Sequence, residues 1–159
     1  MIVFSNTTPF IALSSIGQLD LLPRMFGKIH VVDAVADECA AGGPISVPDL
    51  RRTPWVEVVH VDPAPPPATL IDLDLAEKLT LHMALLLNAD RVLIDEKLGR
   101  EMAEYLGLAV TGTLGILLKA RQAGWIASFL EPVLAMRALG LRYNLTLVHR
   151  LGARVGESP

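Results

Sequence analysis

The sequence predicts an α/β fold built on a mostly parallel sheet, and three observations carry that reading. Short apolar, β-branched runs such as Ile2-Val3-Phe4 and Arg91-Val92-Leu93-Ile94 alternate with longer stretches of helical spacing. That alternation is the signature of strand–helix–strand units, which close a parallel sheet by crossover connections. Three of the strands also end in small polar or acidic residues, and parallel sheets gather ligands at the carboxyl ends of their strands.

Met1–Ser5 reads as a buried strand. Pro9 to about Phe26 follows as helix, broken near Gly17, with Leu13, Ile16, Leu19, Leu22 and Phe26 at helical spacing. Thr7 or Thr8 is placed to cap it, with Pro9 in the first turn. Gly27 ends it, Lys28–Val32 forms a second strand, and Asp33 can cap a helix over Ala34–Ala41. Gly42-Gly43-Pro44 stops that helix. Residues 44–54 read as a loop or short helix around Pro48–Arg52, before a strand at Trp55–Val61. The four prolines between Asp62 and Thr69 predict an extended surface connector. Helix resumes near Asp74 and runs to about Leu87. Arg91–Ile94 is a strand, Lys97–Leu106 a helix, Ala109-Val110 a very short strand and Thr113–Ala123 a helix. Helical spacing then covers about Ser128–Leu139 and Leu145–Arg154, and no internal repeat interrupts the order.

The composition suits one well-filled domain. Apolar residues make up 52% of 159, enough for a large core, and Cys39 is the single cysteine, so no disulfide framework or thiolate metal cage is available. No uncharged apolar run is long enough to span a bilayer, and the N-terminus has no basic start or small-residue cleavage site, so the expected location is cytoplasmic. The net charge of −3 argues against a generally basic polyanion binder, yet the charge is uneven. Residues 1–118 are strongly acidic, whereas 119–154 carry Lys119, Arg121, Arg137, Arg142, Arg150 and Arg154 against Glu131 alone. Such a region is either a solvated helical face or a basic arm beside an acidic site.

The polar strand exits define a candidate site. Strand one ends at Ser5-Asn6-Thr7, the fourth at Asp95-Glu96 and the fifth at Thr111-Gly112-Thr113. Glu38 and Glu77, each on a helix, can face the same edge. Carboxylates, a carboxamide and hydroxyls in one place suit a hard divalent cation, because Mg²⁺ and Mn²⁺ take oxygen ligands and relieve the repulsion between the acids. Each residue also has a plainer reading. Asp95 and Glu96 can be an ordinary strand-to-helix cap, Glu38 a solvated acid beside Asp37, and Glu77 an acid favoured near a helix start, with Asp72 and Asp74 as competitors. Thr111 and Thr113 can be helix caps. His30, His60, His82 and His149 are scattered without ligand spacing, Cys39 suits a small core position, and Trp55 and Trp125 suit the core or an interface.

Five segments in order, SNTTPFIAL, VVDAVADEC, LDLAEKLTLHMAL, ADRVLIDEKLGREMAEYLGL and VTGTLGILLKARQAG, resemble the PIN-like domains of the predicted nucleic-acid-binding group of prokaryotes. Those domains are relatives of the toxin ribonucleases of VapBC toxin–antitoxin pairs. The resemblance runs from residue 1 to about 140. It implies a three-layer α/β/α fold with a PIN-like domain over residues 1–140, to which residues 141–159 add a basic C-terminal helix and tail within the same domain. It further implies Mg²⁺- or Mn²⁺-dependent cleavage of single-stranded RNA. The family's acids fall on Asn6, Glu38, Glu77 and Asp95, the catalytic and metal-binding set, and its later polar position on Thr111-Gly112-Thr113. Two departures bear on activity. Asn6 stands where most PIN nucleases have Asp, although Ser-Asn-Thr is a variant of this subgroup, and Leu79 removes the second acid of the usual Gly-Glu-Ala-Glu run. Three carboxylates instead of four weaken cation binding, so the expected activity is weaker, Mn²⁺-dependent or absent.

On this reading Thr7, Thr111 and Thr113 contact the substrate phosphate, Arg100 contacts it, pairs with a site carboxylate or is a plain surface arginine, and the basic C-terminal region tracks the RNA backbone. The main rival is a PIN-fold module with impaired catalysis that acts by binding RNA or a small antitoxin-like protein. A third reading, Asp95 as an aspartyl nucleophile in phosphoryl transfer, lacks a partnering lysine. Broad apolar faces on Ile11–Leu22 and Ser128–Leu139 lead to the expectation of a homodimer or a small protein partner.

Overall fold

A computed structural model describes residues 1–62, 70 and 73–158. The proline-rich stretch expected to be an extended connector, and the competing acid Asp72, lie outside the described residues. Five strands form one sheet: β1 (Val3–Ser5), β2 (Ile29–Val32), β3 (Val56–Val59), β4 (Arg91–Leu93) and β5 (Val110–Thr111). Their order is β3-β2-β1-β4-β5 and every pairing is parallel, with Phe4 opposite both His30 and Val92, and Leu93 opposite Thr111. Among the described residues, eight helices flank the sheet in a three-layer α/β/α arrangement: α1 (Thr7–Ser15), α2 (Leu21–Phe26), α3 (Asp33–Ala40), α4 (Leu75–Leu86), α5 (Lys97–Tyr105), α6 (Thr113–Gln122), α7 (Leu130–Ala138) and α8 (Leu145–Arg154). A 3₁₀ turn at Leu50–Arg52 falls where a short helix is expected. Among the described residues, no helix is long and apolar enough to cross a membrane.

Side chains from both faces of the sheet fill the core. Val3, Phe4, Ile29, Val31, Val92 and Leu93 are fully buried, as are Phe10, Leu13 and Ile116 from the helices and Phe129 just before α7. Burying a side chain of this size stabilises the fold by roughly 1.5–3 kcal/mol. Consecutive apolar residues in β1 and β4, without alternation, are what a strand covered on both faces requires.

The first helical segment divides where Gly17 was expected to break it. Gly17 has φ 65° and its N–H donates to Ser14 O, so α1 and α2 are separate helices. Its start differs from the expectation. Helix α1 begins at Thr7, so both threonines are helical and neither side chain caps the helix. Pro9 is tolerated there because the first-turn N–H groups have no intrahelical acceptor. Asp74 caps α4 by accepting the Glu77 N–H at 2.9 Å, and Asn144 caps α8 through Leu147 N–H.

The chain's last turn is tied back onto the domain. Glu157 accepts the Phe129 and Leu130 N–H groups, the Ser128 hydroxyl and the Arg121 guanidinium. Helix α8 packs on α6 and α7, and Gly152 meets Leu130 so closely that a Cβ there would stand 2.9 Å from Leu130 Cδ2.

Candidate active site

The sheet order fixes where a ligand can bind. Chain direction carries β1, β2 and β3 outward to one side, and the next strand, β4, returns to the other side of β1. The carboxyl ends of β1 and β4 therefore frame the topological switch point, the place where open parallel sheets take ligands. Asn6 leaves β1 there with its N–H bonded to Leu93 O at 3.0 Å, and Asp95 and Glu96 leave β4 beside it.

Glu96 is the acid next to Asn6. Its Oε2 accepts the Asn6 Nδ2–H at 3.4 Å, and its Oε1 accepts the Thr8 hydroxyl at 2.5 Å. One turn of helix thus presents Asn6, Thr7 and Thr8 to two acids, since the Thr7 hydroxyl donates to Glu38 Oε2. The other oxygen of the carboxamide is unusual. Asn6 is 3% exposed, and its Oδ1 is buried with no hydrogen-bond partner among the described residues. A buried carbonyl oxygen left unpaired costs about 1–3 kcal/mol, so this atom is built to meet a donor or a cation.

Glu77 completes the group from α4. It is 7% exposed, and burial, the acidity of Asp74 at its own helix start, and the charges of Glu96 and Glu38 push its carboxyl up to about 8. Gly99 on α5 makes room for it, because a Cβ there would stand 2.9 Å from Glu77 Oε2. Burial, reinforced by these neighbouring acids, thus favours the protonated form of Glu77.

Asp95 is held differently. Its Oδ1 accepts the Thr113 N–H at 2.6 Å, and its Oδ2 accepts the Thr113 hydroxyl at 2.8 Å and the Tyr143 hydroxyl at 3.0 Å. Burial pushes the Asp95 carboxyl up, and the Thr113 and Tyr143 donors act in the opposite direction. Asp95 therefore caps the start of α6, across the sheet edge, instead of its own following helix. Thr111 is likewise engaged, its hydroxyl accepting from Arg91 at 2.6 Å.

The edge opens into a cleft of about 910 Å³ between α5, α6 and the start of α8. Of the site acids, Asp95 and Glu96 line it, together with Arg91, Lys97, Arg100, Lys119, Arg142, Glu101 and Glu104, whereas Asn6, Glu38 and Glu77 do not. Two residues of the basic C-terminal part, Lys119 and Arg142, thus sit in the same cleft as those two acids. Arg121 does not, being spent on Glu157.

Asn6, Glu38 and Glu77 are brought together, with Thr7 as a bridge. Asp95, Thr111 and Thr113 form a second hydrogen-bonded group beside them, and Arg100 lies in the cleft. Glu96, Thr8 and Tyr143 belong to the site beyond the residues singled out from sequence. Glu96 was visible as the neighbour of Asp95, but two successive residues leaving a strand point to different sides, and spacing does not say which faces Asn6. Tyr143 carries no local signal, since only the fold brings it to Asp95 from 48 residues away. Cys39 is buried, and burial with the Glu38 charge pushes its thiol up to about 12, which leaves it inert at neutral pH. His30 and His60 are used in pairs with Glu57 and Asp33, on the β2–β3 side of the sheet.

A parallel α/β/α sheet with acids and a carboxamide at the switch point is the architecture of a nuclease-type PIN fold. A family model described as PIN domain matches residues 2–157, nearly the whole chain, and the chain belongs to that family. PIN domains as a class are generally dependent on a divalent metal. No curated protein and no solved structure matches the chain significantly.

Among the described residues, no three His, Cys, Asp or Glu side chains stand close enough together to hold a cation as they are. The donor chemistry nevertheless suits a hard cation. An all-oxygen set of Asn6, Glu38, Glu77 and Glu96 has one oxygen with no partner and one carboxyl that takes up a proton in place of a positive charge.

Proposed function

We propose that this chain is a metal-dependent endonuclease of single-stranded RNA, working from the acidic edge between β1 and β4. The observation that carries the reading is the buried, unpartnered Oδ1 of Asn6 beside Glu96, with Glu77 and Glu38 around it. Asn6, Glu38, Glu77 and Glu96 would hold Mg²⁺ or Mn²⁺, and Asp95 has a lone-pair site left after its three hydrogen bonds. When bound, the cation supplies charge stabilisation at the phosphodiester and makes a water acidic enough to attack it.

The protein's own part is orientation. Thr7 fixes Glu38, while Asn6 and Thr8 together fix both oxygens of Glu96. Thr113 and Tyr143 lock the Asp95 carboxylate, so the acids need little rearrangement on binding. Without a cation, burial and the neighbouring acids push the Glu77 carboxyl up to about 8, and a bound cation would displace its proton.

The neutral Asn6 favours a second reading, a PIN-fold module that binds RNA or a small antitoxin-like protein without cutting. Incubating single-stranded RNA with the wild type, Asp95→Asn and Glu77→Gln in Mn²⁺, with EDTA as control, tests between them. The nuclease reading expects cleavage by the wild type alone. Equal cleavage by all three removes the mechanism, and RNA binding without cleavage favours the module.

A further inference from the structure

Arg100 lies one turn into α5, on the wall of the large cleft. A Cβ on Gly112 would stand 2.3 Å from Arg100 Nη1 and 3.1 Å from Asp95 Oδ1. The guanidinium therefore occupies the space that a side chain at position 112 would fill. Gly112 has φ −98°, an ordinary backbone conformation, so the glycine answers to this close approach and not to a turn. Among the described residues, the Arg100 side chain forms no ion pair or hydrogen bond, although Glu104 stands one turn further along the same helix. Asp95, whose Oδ1 bounds the same space at Gly112, already accepts three hydrogen bonds from Thr113 and Tyr143. A planar fork of donors, half-buried and facing a cleft, is suited to two oxygens of one phosphate.

We infer that Arg100, seated over Gly112, is the group that grips a phosphodiester of a single strand lying in the cleft beside Asp95 and Glu96. The inference deepens the nuclease reading by naming what holds the strand next to the acids, and it needs no metal. Lys119 and Arg142, both exposed in the cleft, extend the same positive path outward.

The test is fluorescence anisotropy of a labelled single-stranded RNA in EDTA, at several salt concentrations. Arg100→Gln is expected to weaken binding about tenfold and to lower the salt slope by about 0.7. Arg100→Lys recovers part of the affinity, because it restores the charge without the fork. Gly112→Ala weakens binding while keeping the melting temperature near wild type, since the flexible guanidinium moves aside before the backbone does. Arg52→Gln, an exposed arginine outside both the cleft and the basic C-terminal region, leaves binding unchanged. Binding by Arg100→Gln equal to wild type overturns the inference, as does a wild type that binds no RNA. Displacement of the RNA by inorganic phosphate as readily as by unlabelled strand also overturns it, because the ligand is then a free phosphate. Arg100-dependent binding without cleavage on adding Mn²⁺ supports the seat and counts against the nuclease reading alone.

Discussion

Asn6 donates its Nδ2–H to Glu96 Oε2 at 3.4 Å and leaves its own Oδ1 buried and unpartnered. The pair joins the ends of β1 and β4 at the switch point, so the neutral residue sits at the centre of the acids. Asn6→Asp puts a further carboxylate against Glu96. In EDTA the variant should melt below wild type, from repulsion between buried like charges. In Mn²⁺ it should melt above its own EDTA value by more than wild type gains. Thermal denaturation in the two conditions checks both halves.

Glu77 links stability to pH with a definite sign. Its carboxyl is pushed from 4.5 up to about 8, so the folded state binds this proton more tightly than the unfolded chain does. The resulting stability is fully present below about 4.5 and is lost as pH rises through about 8. Asp74, Glu38 and Glu96 face it and supply the repulsion, after burial. A melting series across that window in EDTA should fall with pH in the wild type and flatten in Glu77→Gln. Mn²⁺ should reduce the fall, because a cation replaces the proton.

Gly99 is a packing glycine whose loss reaches the site. A Cβ there meets Glu77 Oε2 at 2.9 Å and Ile94 Cγ2 at 3.1 Å. Gly99→Ala should destabilise the fold by about 1–3 kcal/mol through overpacking. It should also displace Glu77, so that the pH dependence of melting changes along with its midpoint. Urea denaturation at two pH values separates the two effects.

Tyr143 carries the connector between α7 and α8 to Asp95. Tyr143→Phe keeps the ring and removes the donor to Oδ2, at a cost of about 1–2 kcal/mol. Asp95→Asn in the same background should add less than it does in wild type, because the two groups share one bond. A double-mutant cycle in urea measures that coupling.

Much of this fold is legible in the sequence because the local signals agree. Gly17, Gly27 and Gly124 punctuate the helices, each at positive φ, and the apolar runs of β1 and β4 match a sheet covered on both faces. The exit of strand one is read correctly as polar, but its threonines do not cap. Thr7 and Thr8 reach Glu38 and Glu96, partners 31 and 88 residues away, which no local pattern encodes. Asp95 shows the same limit. Its sequence neighbourhood suggests a cap on the next helix, and the fold instead turns it to Thr113 and Tyr143. Spacing places residues on an edge. Side-chain direction at a strand exit, and contacts across the sheet, decide which acids meet.

The central claim is that the Asn6–Glu38–Glu77–Glu96 edge takes a divalent cation. Calorimetric titration of the purified chain with Mn²⁺ tests it most directly, beside Glu77→Gln and Glu96→Gln. The account predicts saturable binding by wild type that strengthens with rising pH as Glu77 releases its proton, and that weakens in both variants. Absence of binding by wild type at millimolar Mn²⁺, or binding untouched by either substitution, would contradict it.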